Sequence, residues 1–336
     1  MQGTIGSADM VEILKAAGET TRLRLLALLA HGEFNVKDLT QILGQSQPRL
    51  SRHLKLLADA GLIQRFQEGS SVFYRFSEKG AGARLALQLL SAVDAADAVT
   101  GRDLTRAEAL KQEKSMAAQA YFQSHAAAWD EIRALHAPEA AVEAAMLKAL
   151  GVGPFDLLID LGTGTGRILE LFAKRAKRSA GFDVNRDMLS HARARLAASG
   201  IRNAQLRLGD IFSLPLEDAA ADAVVIHQVL HFLDEPGSAI AEASRLLKPS
   251  GQLLIVDFAA HKIEALRHDY AHRRLGFERE LVEGWLGREG LEFSHYEAIR
   301  PGKGAEDKLT VSLWLAAKPG EPARKQHGAA EALLRR

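Results

Sequence analysis

The chain contains no cysteine. That excludes disulfides, thiolate metal sites and a cysteine nucleophile, and it fits a reducing cytoplasm, the expected location. Charge of one sign is also missing. Against 43 Lys and Arg stand 42 Asp and Glu, a formal net charge of +1. No global basic field draws such a chain onto nucleic acid, so any DNA-binding surface must be local. No apolar run approaches the ~18–20 residues that a membrane span needs. The N-terminal MQGTIGSADM has neither a basic start nor an apolar core, so no signal peptide is expected. What remains is ordinary globular composition over 336 residues, 47% hydrophobic and 25% charged, with room for about two domains.

Residues 9–31 carry two helical patterns. Val11, Ile13, Leu14 and Ala17 form one. Leu23, Leu25, Leu26, Leu28 and Leu29 form the other, with Thr20 or Thr21 as its cap and Gly32 as its stop. VKDLTQIL (36–43) predicts a short helix ended by Gly44. Then comes SQPRLSRHLKLL (46–57). Leu50, Leu54 and Leu57 fall at helical spacing, as does Leu56, and basic residues fill the faces between. Ser46 is a natural N-cap, and Pro48 lies in the first turn, where its missing N–H costs little. This helix is expected to run to Ala60 and close at Gly61. LIQRFQ and SVFYRFS alternate around Glu68-Gly69-Ser70 and predict a two-stranded hairpin.

That succession is the plan of a winged helix-turn-helix. A helix in the major groove needs long donors toward base edges and positive charge toward phosphates. Gln45, Gln47, Arg49, Ser51 and Arg52 supply the first, with Ser46 beside them. His53, Lys55 and the wing residues Arg65 and Arg75 supply the second. A basic helix alone often means only a solvated face. The complete motif around this one favours DNA.

From about Glu78 to Leu150 the chain is rich in Ala, Leu, Glu and Arg, and several helices are expected. RLALQLLSAV (84–93) is apolar enough to need a partner, such as the same helix of a second subunit. In 120–136, Tyr121, Phe122, Trp129 and Ile132 fall on or near one face. From Phe155 strands and helices alternate. LLIDLG, SAGFDV, AQLRLGD, AVVIHQV and LLIVDFA read as strands, ILELFAKRAK and MLSHARARLAASG as helices. LEFSHYEAI and LTVSLWLAA pair as a hairpin. The fold class is α/β, a doubly wound, mostly parallel sheet with an antiparallel edge. The expected division is a winged helix-turn-helix over 1–80, a helical linker and dimerisation region over 81–118, the α/β domain over 119–318 and a flexible tail over 319–336.

Asp160 ends the first strand of that domain. Gly162, Gly164 and Gly166 follow as G-x-G-x-G. Glycines let the backbone turn sharply and approach a ligand closely. The dinucleotide fingerprint is G-x-G-x-x-G with a pyrophosphate at the helix start. This spacing differs by one residue, and Asp160 suits an ammonium better than a phosphate. Asp183 closes the second strand, at roughly the ~20-residue distance expected of an acid that holds ribose hydroxyls. Asp210 follows the third strand, where Ile211 could cover an adenine face. Three strand-end carboxylates suit a ligand with an amine, a ribose diol and an adenine amino group. S-adenosylmethionine has all three and no phosphate. A nicotinamide nucleotide is the weaker reading.

Two family resemblances accompany these patterns. ETTRLRLLALL (19–29), SQPRLSRHLKLLADAGLI (46–63) and QEGSSVFYRFS (67–77) resemble the ArsR family of winged-helix repressors. The resemblance implies a homodimer that reads two half-sites of a double-stranded operator about one helical turn apart and is released by an effector. Many relatives sense metals through a Cys-x-Cys pair. The matching positions here are Asn35 and Lys37, so no soft metal is expected there. Ser70 and Ser71 replace a frequent basic residue at the wing tip. LLIDLGTGTGRILELFA, GFDVNRDMLSHARARL, LRLGDIFSLPLEDAAADAVVIHQVLHFLDEP and EASRLLKPSGQLLIVDF resemble class I S-adenosylmethionine-dependent methyltransferases, from about Tyr121 to Ala317. This implies a Rossmann-like fold with a seven-stranded sheet. It also implies that the Gly162–Gly166 loop, including Thr163, cradles the methionine part and that Asp183 binds the ribose, with Val184 beside it. Met188 and Ile211 sandwich the adenine, Asp210 bonds its amino group, and Gln228 lies near the methionine end. For Met188 plain helix packing is an equal alternative. Thr163 stands where a cysteine is frequent.

Methyl transfer needs in-line placement of a nucleophile, and a base only if the acceptor must lose a proton. Histidines are dense in this half. His231 and His261 are the base candidates. His261, Glu264, His268 and His272 would share one stripe if their helix starts early enough. HDYAH resembles a zinc pair only superficially, and no metal site is expected. Two functions follow. One is a DNA-binding regulator that also methylates a small molecule, leaving S-adenosylhomocysteine. The other is a transcription factor whose methyltransferase-like domain only senses S-adenosylmethionine or S-adenosylhomocysteine. The sequence names neither the acceptor nor the operator.

Overall fold

Leucines at positions 50, 54 and 57 set the first half of the molecule. They lie on one stripe of helix α4 (Gln47–Asp59) and are fully buried. At 100° per residue Leu56 falls off that stripe, and it is 46% exposed. Each buried leucine stabilises by roughly 1.5–3 kcal/mol. In the computed structural model, residues 6–68, 71–77, 80–94, 97–126, 138–302 and 308–320 are described. Ahead of α4 come α1 (Ser7–Ala17), α2 (Thr20–Ala30) and α3 (Val36–Leu43). The cap of α2 is Glu19 rather than either threonine. Its carboxylate accepts the Arg22 N–H at 3.0 Å. Gly44 ends α3 at φ 65°, and the Ser46 side chain makes no cap hydrogen bond.

The hairpin is β2 (Ile63–Glu68) against β3 (Ser71–Phe76), with Ile63 opposite Phe76 and Gln64 opposite Arg75. A third strand, β1 (Phe34–Asn35), pairs with β3 on its other side. Two helices follow, α5 (Ala81–Ser91) and α6 (Ala98–His125). A two-point ion pair ties α2 to α6. Arg24 Nε and Nη2 donate to Asp103 Oδ2 and Oδ1 at 2.5 and 2.8 Å, and Asp103 is 1% exposed. Trp129 and Ile132 lie outside the described residues, as do Ser70 and the tail from residue 321.

Seven strands form the second sheet, in the order β6-β5-β4-β7-β8-β10-β9. They are β4 (Phe155–Leu161), β5 (Ala176–Asp183), β6 (Ala204–Leu208), β7 (Ala221–His227), β8 (Leu247–Phe258), β9 (Glu292–Ile299) and β10 (Val311–Ala317). The pairs β5·β6, β4·β5, β4·β7 and β7·β8 are parallel, and β9·β10 is antiparallel. The helices are α7 (Glu139–Leu150), α8 (Arg167–Phe172), α9 (Arg186–Ala198), α10 (Pro236–Leu246), α11 (Ala265–Asp269) and α12 (Arg279–Arg288). The sheet matches the expected class. ILELFAKRAK does not stay helical to its end. The helix stops at Phe172, the Arg175 N–H returns to the Phe172 carbonyl at 2.8 Å, and Ala176 already pairs with Phe155. Strand pairing overrides helix propensity there.

By contacts the chain divides into two units. The first comprises Met1–Ala127, Leu230–Pro236 and Phe258–Phe277. The second comprises Ala128–Val229, Gly237–Asp257 and Glu278–Arg336. Two short segments from the α/β half of the sequence therefore pack with the winged helix.

Candidate functional site

In the second unit β4 runs into the glycine loop. Gly162, Gly164 and Gly166 have φ of 74, 50 and 79°, a region that L side chains avoid. A Cβ at Gly162 would lie 2.5 Å from Val229 Cγ2. The loop is pinned by main-chain bonds. The Gly162 and Thr163 N–H groups donate to the Phe182 carbonyl, both at 2.9 Å, and Gly166 N–H donates to the Thr163 carbonyl at 2.8 Å.

Asp183, at the end of β5, joins this loop. Gly164 N–H donates to its Oδ2 and Asn185 N–H to its Oδ1, both at 2.8 Å. Burial pushes the Asp183 carboxyl above the ordinary aspartate range, and the backbone donors oppose that only in part. Asp160 is buried in the sheet, with Gly181 and Val225 as its neighbours in register. Thr163 Oγ1 is buried without a hydrogen-bond partner among the described residues. A left-handed glycine loop, an unsatisfied buried hydroxyl and strand-end acids fit a polar ligand head.

The rim beyond is apolar. Val184 is 45% and Leu208 49% exposed, and Phe212 is exposed as well. The sequence reading missed Leu208 and Phe212. Their signal was position, since they bracket Asp210 at the end of β6. Asp210 is exposed, and its Oδ1 accepts the Phe212 N–H at 3.0 Å. Ile211 and Met188 are both buried. Gln228 is buried with φ 53°, a strained left-handed position directly after β7, and its N–H donates to the Val256 carbonyl at 2.7 Å. Such strain is characteristic of functional loops. Arg167, the first residue of α8, is committed elsewhere. It donates to Glu143 and Glu170 at 2.7 Å, and those bonds raise its pKa further.

In the first unit, α4 presents Gln47, Arg49, Arg52 and Lys55 to solvent, with Ser46 exposed at its start. Three other expected contacts are turned inward. Gln45 Nε2 lies 3.4 Å from Thr21 Oγ1. His53 is half-buried, with Nδ1 3.5 Å from Glu19 Oε2 and from Arg22 Nη1. Ser51 is half-buried. On the wing Arg65 is exposed, while Arg75 donates to Gln64 Oε1 at 2.9 Å and lies over the Phe66 ring at 5.4 Å.

The histidines do not share a helical stripe. Helix α11 holds only five residues, so His261 and His272 lie off it. Both belong to the first unit, as does His231. His231 is 2% exposed. Its ring packs against His272 (4.2 Å), Phe232 (3.9 Å) and Phe258 (5.0 Å). The His261 ring accepts the Ile263 N–H at 3.2 Å. Among the described residues no group of three or more His, Asp or Glu could hold a metal ion, and no helix is long and apolar enough to cross a membrane.

Comparison with known proteins places names on both regions. Residues 19–65 match the model of the arsR family of bacterial regulatory proteins, and residues 159–255 match that of a methyltransferase domain. An uncharacterised 37.1 kDa protein of transposon TN4556 from Streptomyces fradiae is 37% identical over 113 residues, 33% of this chain and 32% of that protein. The malonyl-acyl-carrier-protein O-methyltransferase of Serratia marcescens is 34% identical over 122 residues, 35% of this chain and 46% of that protein. A ubiquinone/menaquinone biosynthesis C-methyltransferase of Paraburkholderia phymatum is 31% identical over 154 residues, 44% and 63% respectively. The chain thus spans 32 to 63% of the length of these relatives. Among solved structures, a chain of the complex between the Haloferax volcanii Trm112 methyltransferase activator and its candidate methyltransferase superposes with TM-score 0.52. It is 19% identical and covers 61% of this chain and 98% of its own length. At that identity the likeness shows the fold alone.

Proposed function

Because the chain carries an arsR-family regulatory segment and a methyltransferase domain, we propose that it is a DNA-binding regulator that also methylates a small molecule. S-adenosylmethionine, bound in the glycine cradle, would supply an electrophilic methyl group and leave as S-adenosylhomocysteine. One observation carries this reading: the strand-end acid Asp183 is locked onto the left-handed glycine loop through the Gly164 N–H.

The residues take distinct roles. Gly162, Thr163, Gly164 and Gly166 let the methionine part lie against main chain. Asp160 balances its ammonium. Asp183 accepts the ribose hydroxyls, since a carboxylate retains lone pairs beyond those taken by two backbone donors. Asp210 accepts from the adenine amino group, and Val184, Met188, Ile211, Leu208 and Phe212 supply apolar cover. Gln228 orients the methionine end. Catalysis then rests mainly on placement. The exposed Gln47, Arg49, Arg52, Lys55 and Arg65 would meet DNA. The chain acts as a cytoplasmic homodimer, supported by apolar side chains left exposed on α1 and α5, Leu14 and Leu87 among them.

The burial of His231 among aromatic rings favours a second reading, in which the α/β domain senses the ligand and does no chemistry. Purified protein incubated with methyl-labelled S-adenosylmethionine and a cell metabolite extract separates the two. Label in a small product supports the enzyme. Tight ligand binding without product, together with ligand-dependent DNA retention, supports the sensor.

A further inference from the structure

The chain as a whole is nearly neutral, but one stretch of it is not. Residues 174–207 hold nine Lys or Arg and only two Asp. Of the chain's 43 Lys and Arg and 42 Asp and Glu, this leaves 34 and 40 elsewhere. The whole positive surplus therefore sits in this stretch, which builds one edge of the seven-stranded sheet. There β6 is the outermost strand, β5 pairs with it in parallel, and α9 packs against both.

Three of the nine cations are taken up by neighbours. Arg175 donates to the Leu147 and Gly151 carbonyls, and Lys177 pairs with Asp156 at 2.7 Å. Arg195 donates to Thr165 Oγ1 at 3.3 Å and lies 3.9 Å from Glu170. The other six, Lys174, Arg178, Arg186, Arg193, Arg202 and Arg207, are exposed and have no ion-pair partner among the described residues. Arg207 does donate to Gln205 Oε1 at 3.0 Å, but that partner is neutral. Of the two acids, Asp183 is turned to the glycine loop, leaving Asp187.

The six are ordered along the edge. Arg186 and Arg193 are seven residues apart on α9 and share an exposed stripe. Arg207 stands in register with Phe182, so Arg178, four residues earlier in β5, is on the same sheet face. Lys174 and Arg202 occupy the turns that enter the parallel strands β5 and β6, at the end of the sheet opposite the glycine loop. At 1.5 Å per residue α9 is ~20 Å long. Duplex DNA carries one charge per ~1.7 Å of its axis, so that length matches on the order of ten phosphates. A surface kept only for solubility intersperses both signs. Guanidinium groups without countercharges suit rows of phosphate, which they grip in two-point contacts.

We propose that the β6 edge of the α/β domain is a second DNA-binding surface, which holds the phosphates of double-stranded DNA without reading sequence. The choice of DNA among polyanions rests on the regulatory role proposed above; the cationic edge itself does not. Two contacts on one polymer raise the local concentration of each. The edge thus adds sequence-independent affinity to the site that the winged helix selects.

The test is fluorescence anisotropy of the full chain on a short labelled duplex of arbitrary sequence, over a salt series. Lys174→Gln, Arg178→Gln, Arg202→Gln and Arg207→Gln together lower the slope of log affinity against log salt by about 3–4, near 0.9 per phosphate contact, and weaken binding by about tenfold or more. Lys174→Arg with Arg178→Lys, Arg202→Lys and Arg207→Lys keeps the charges and retains the parent slope. On the parent chain the duplex protects Lys174 from acetylation, read by mass spectrometry, and vesicles containing phosphatidylserine do not. A parent-like slope in the folded Gln chain overturns the proposal, as does Lys174 reactivity unchanged by the duplex, or protection by the vesicles alone. The acetylation readout needs no variant, so it decides even if the Gln chain fails to fold. Arg49→Ala with Arg52→Ala separates this proposal from the winged-helix reading. That chain still binds the duplex, and adding the four Gln changes abolishes the binding. If it binds every duplex as the parent does, the winged-helix reading fails and the edge stands. If it loses all binding while the Gln chain keeps the parent slope, the edge fails and the winged helix stands.

Discussion

Gly164 donates its backbone N–H to Asp183 Oδ2 at 2.8 Å, fastening the loop after β4 to the end of β5. The ionised carboxylate accepts from this amide and from ribose hydroxyls at both oxygens, whereas protonation turns one oxygen into a donor. Burial holds that carboxyl above the ordinary aspartate range. Protonation therefore begins at a higher pH than for an exposed aspartate, and S-adenosylmethionine affinity should fall correspondingly early on acidification. The sign for stability is opposite. A raised folded-state pKa favours the fold below the unfolded-state pKa, and that contribution is lost as pH rises through the folded-state value. Affinity measured across pH for the parent and for Asp183→Asn checks this. The variant binds weakly and lacks the acid-side slope.

Gly162→Ala should disable the loop. The new Cβ would lie 2.5 Å from Val229 Cγ2 at φ 74°. The left-handed conformation alone costs roughly 1–2 kcal/mol, and the clash adds to it. Val229→Ala in the same chain removes the clash but not the backbone term. Thermal melts should show partial recovery of stability in the double variant, with ligand affinity still reduced.

Asp103→Ala should destabilise the first unit by about 3–5 kcal/mol, because it leaves a mostly buried guanidinium without its two-point partner. Arg24 and Asp103 meet at 2.5 and 2.8 Å, and the hydrogen bond to Asp103 raises the Arg24 pKa. Chemical denaturation followed by circular dichroism measures the loss. Removing both side chains with Arg24→Met and Asp103→Leu should restore most of it.

Arg49→Ala and Arg52→Ala should weaken DNA binding while leaving the fold intact, since both side chains are exposed on α4. A residue that contacts phosphate lowers the slope of log affinity against log salt by about 1, while one that reads a base relaxes sequence preference. His53→Ala should act differently. Its ring faces Glu19 and Arg22, so the change should lower stability more than DNA affinity. Fluorescence anisotropy over a salt series, paired with melts, separates the cases.

Local patterns made much of this legible. The 50–54–57 stripe, the left-handed Gly44 and the strand–glycine–helix junction at 155–172 are all set by residues within one turn or one strand of each other. What the sequence hid depends on distant partners. Strand β1 has only two residues and exists through its pairing with β3. The helix after the glycine loop stops at Phe172, and from Ala176 the chain is claimed by a neighbouring strand. The histidine stripe fails because α11 is five residues long. No periodicity announces that Leu230–Pro236 and Phe258–Phe277 pack with the winged helix, since ion pairs such as Glu33–Arg274 span most of the chain. In the nucleotide-like cradle the acids were readable from their spacing. The exposed Leu208 and Phe212 became evident only once the rim was seen.

The most direct measurement is calorimetry of the parent protein and Asp183→Ala against S-adenosylmethionine and NADH. The parent should take up S-adenosylmethionine and ignore NADH, and Asp183→Ala should lose at least about tenfold in affinity, as expected for hydrogen bonds to a charged acceptor. Binding of NADH by both proteins, with no uptake of S-adenosylmethionine by either, would contradict the account.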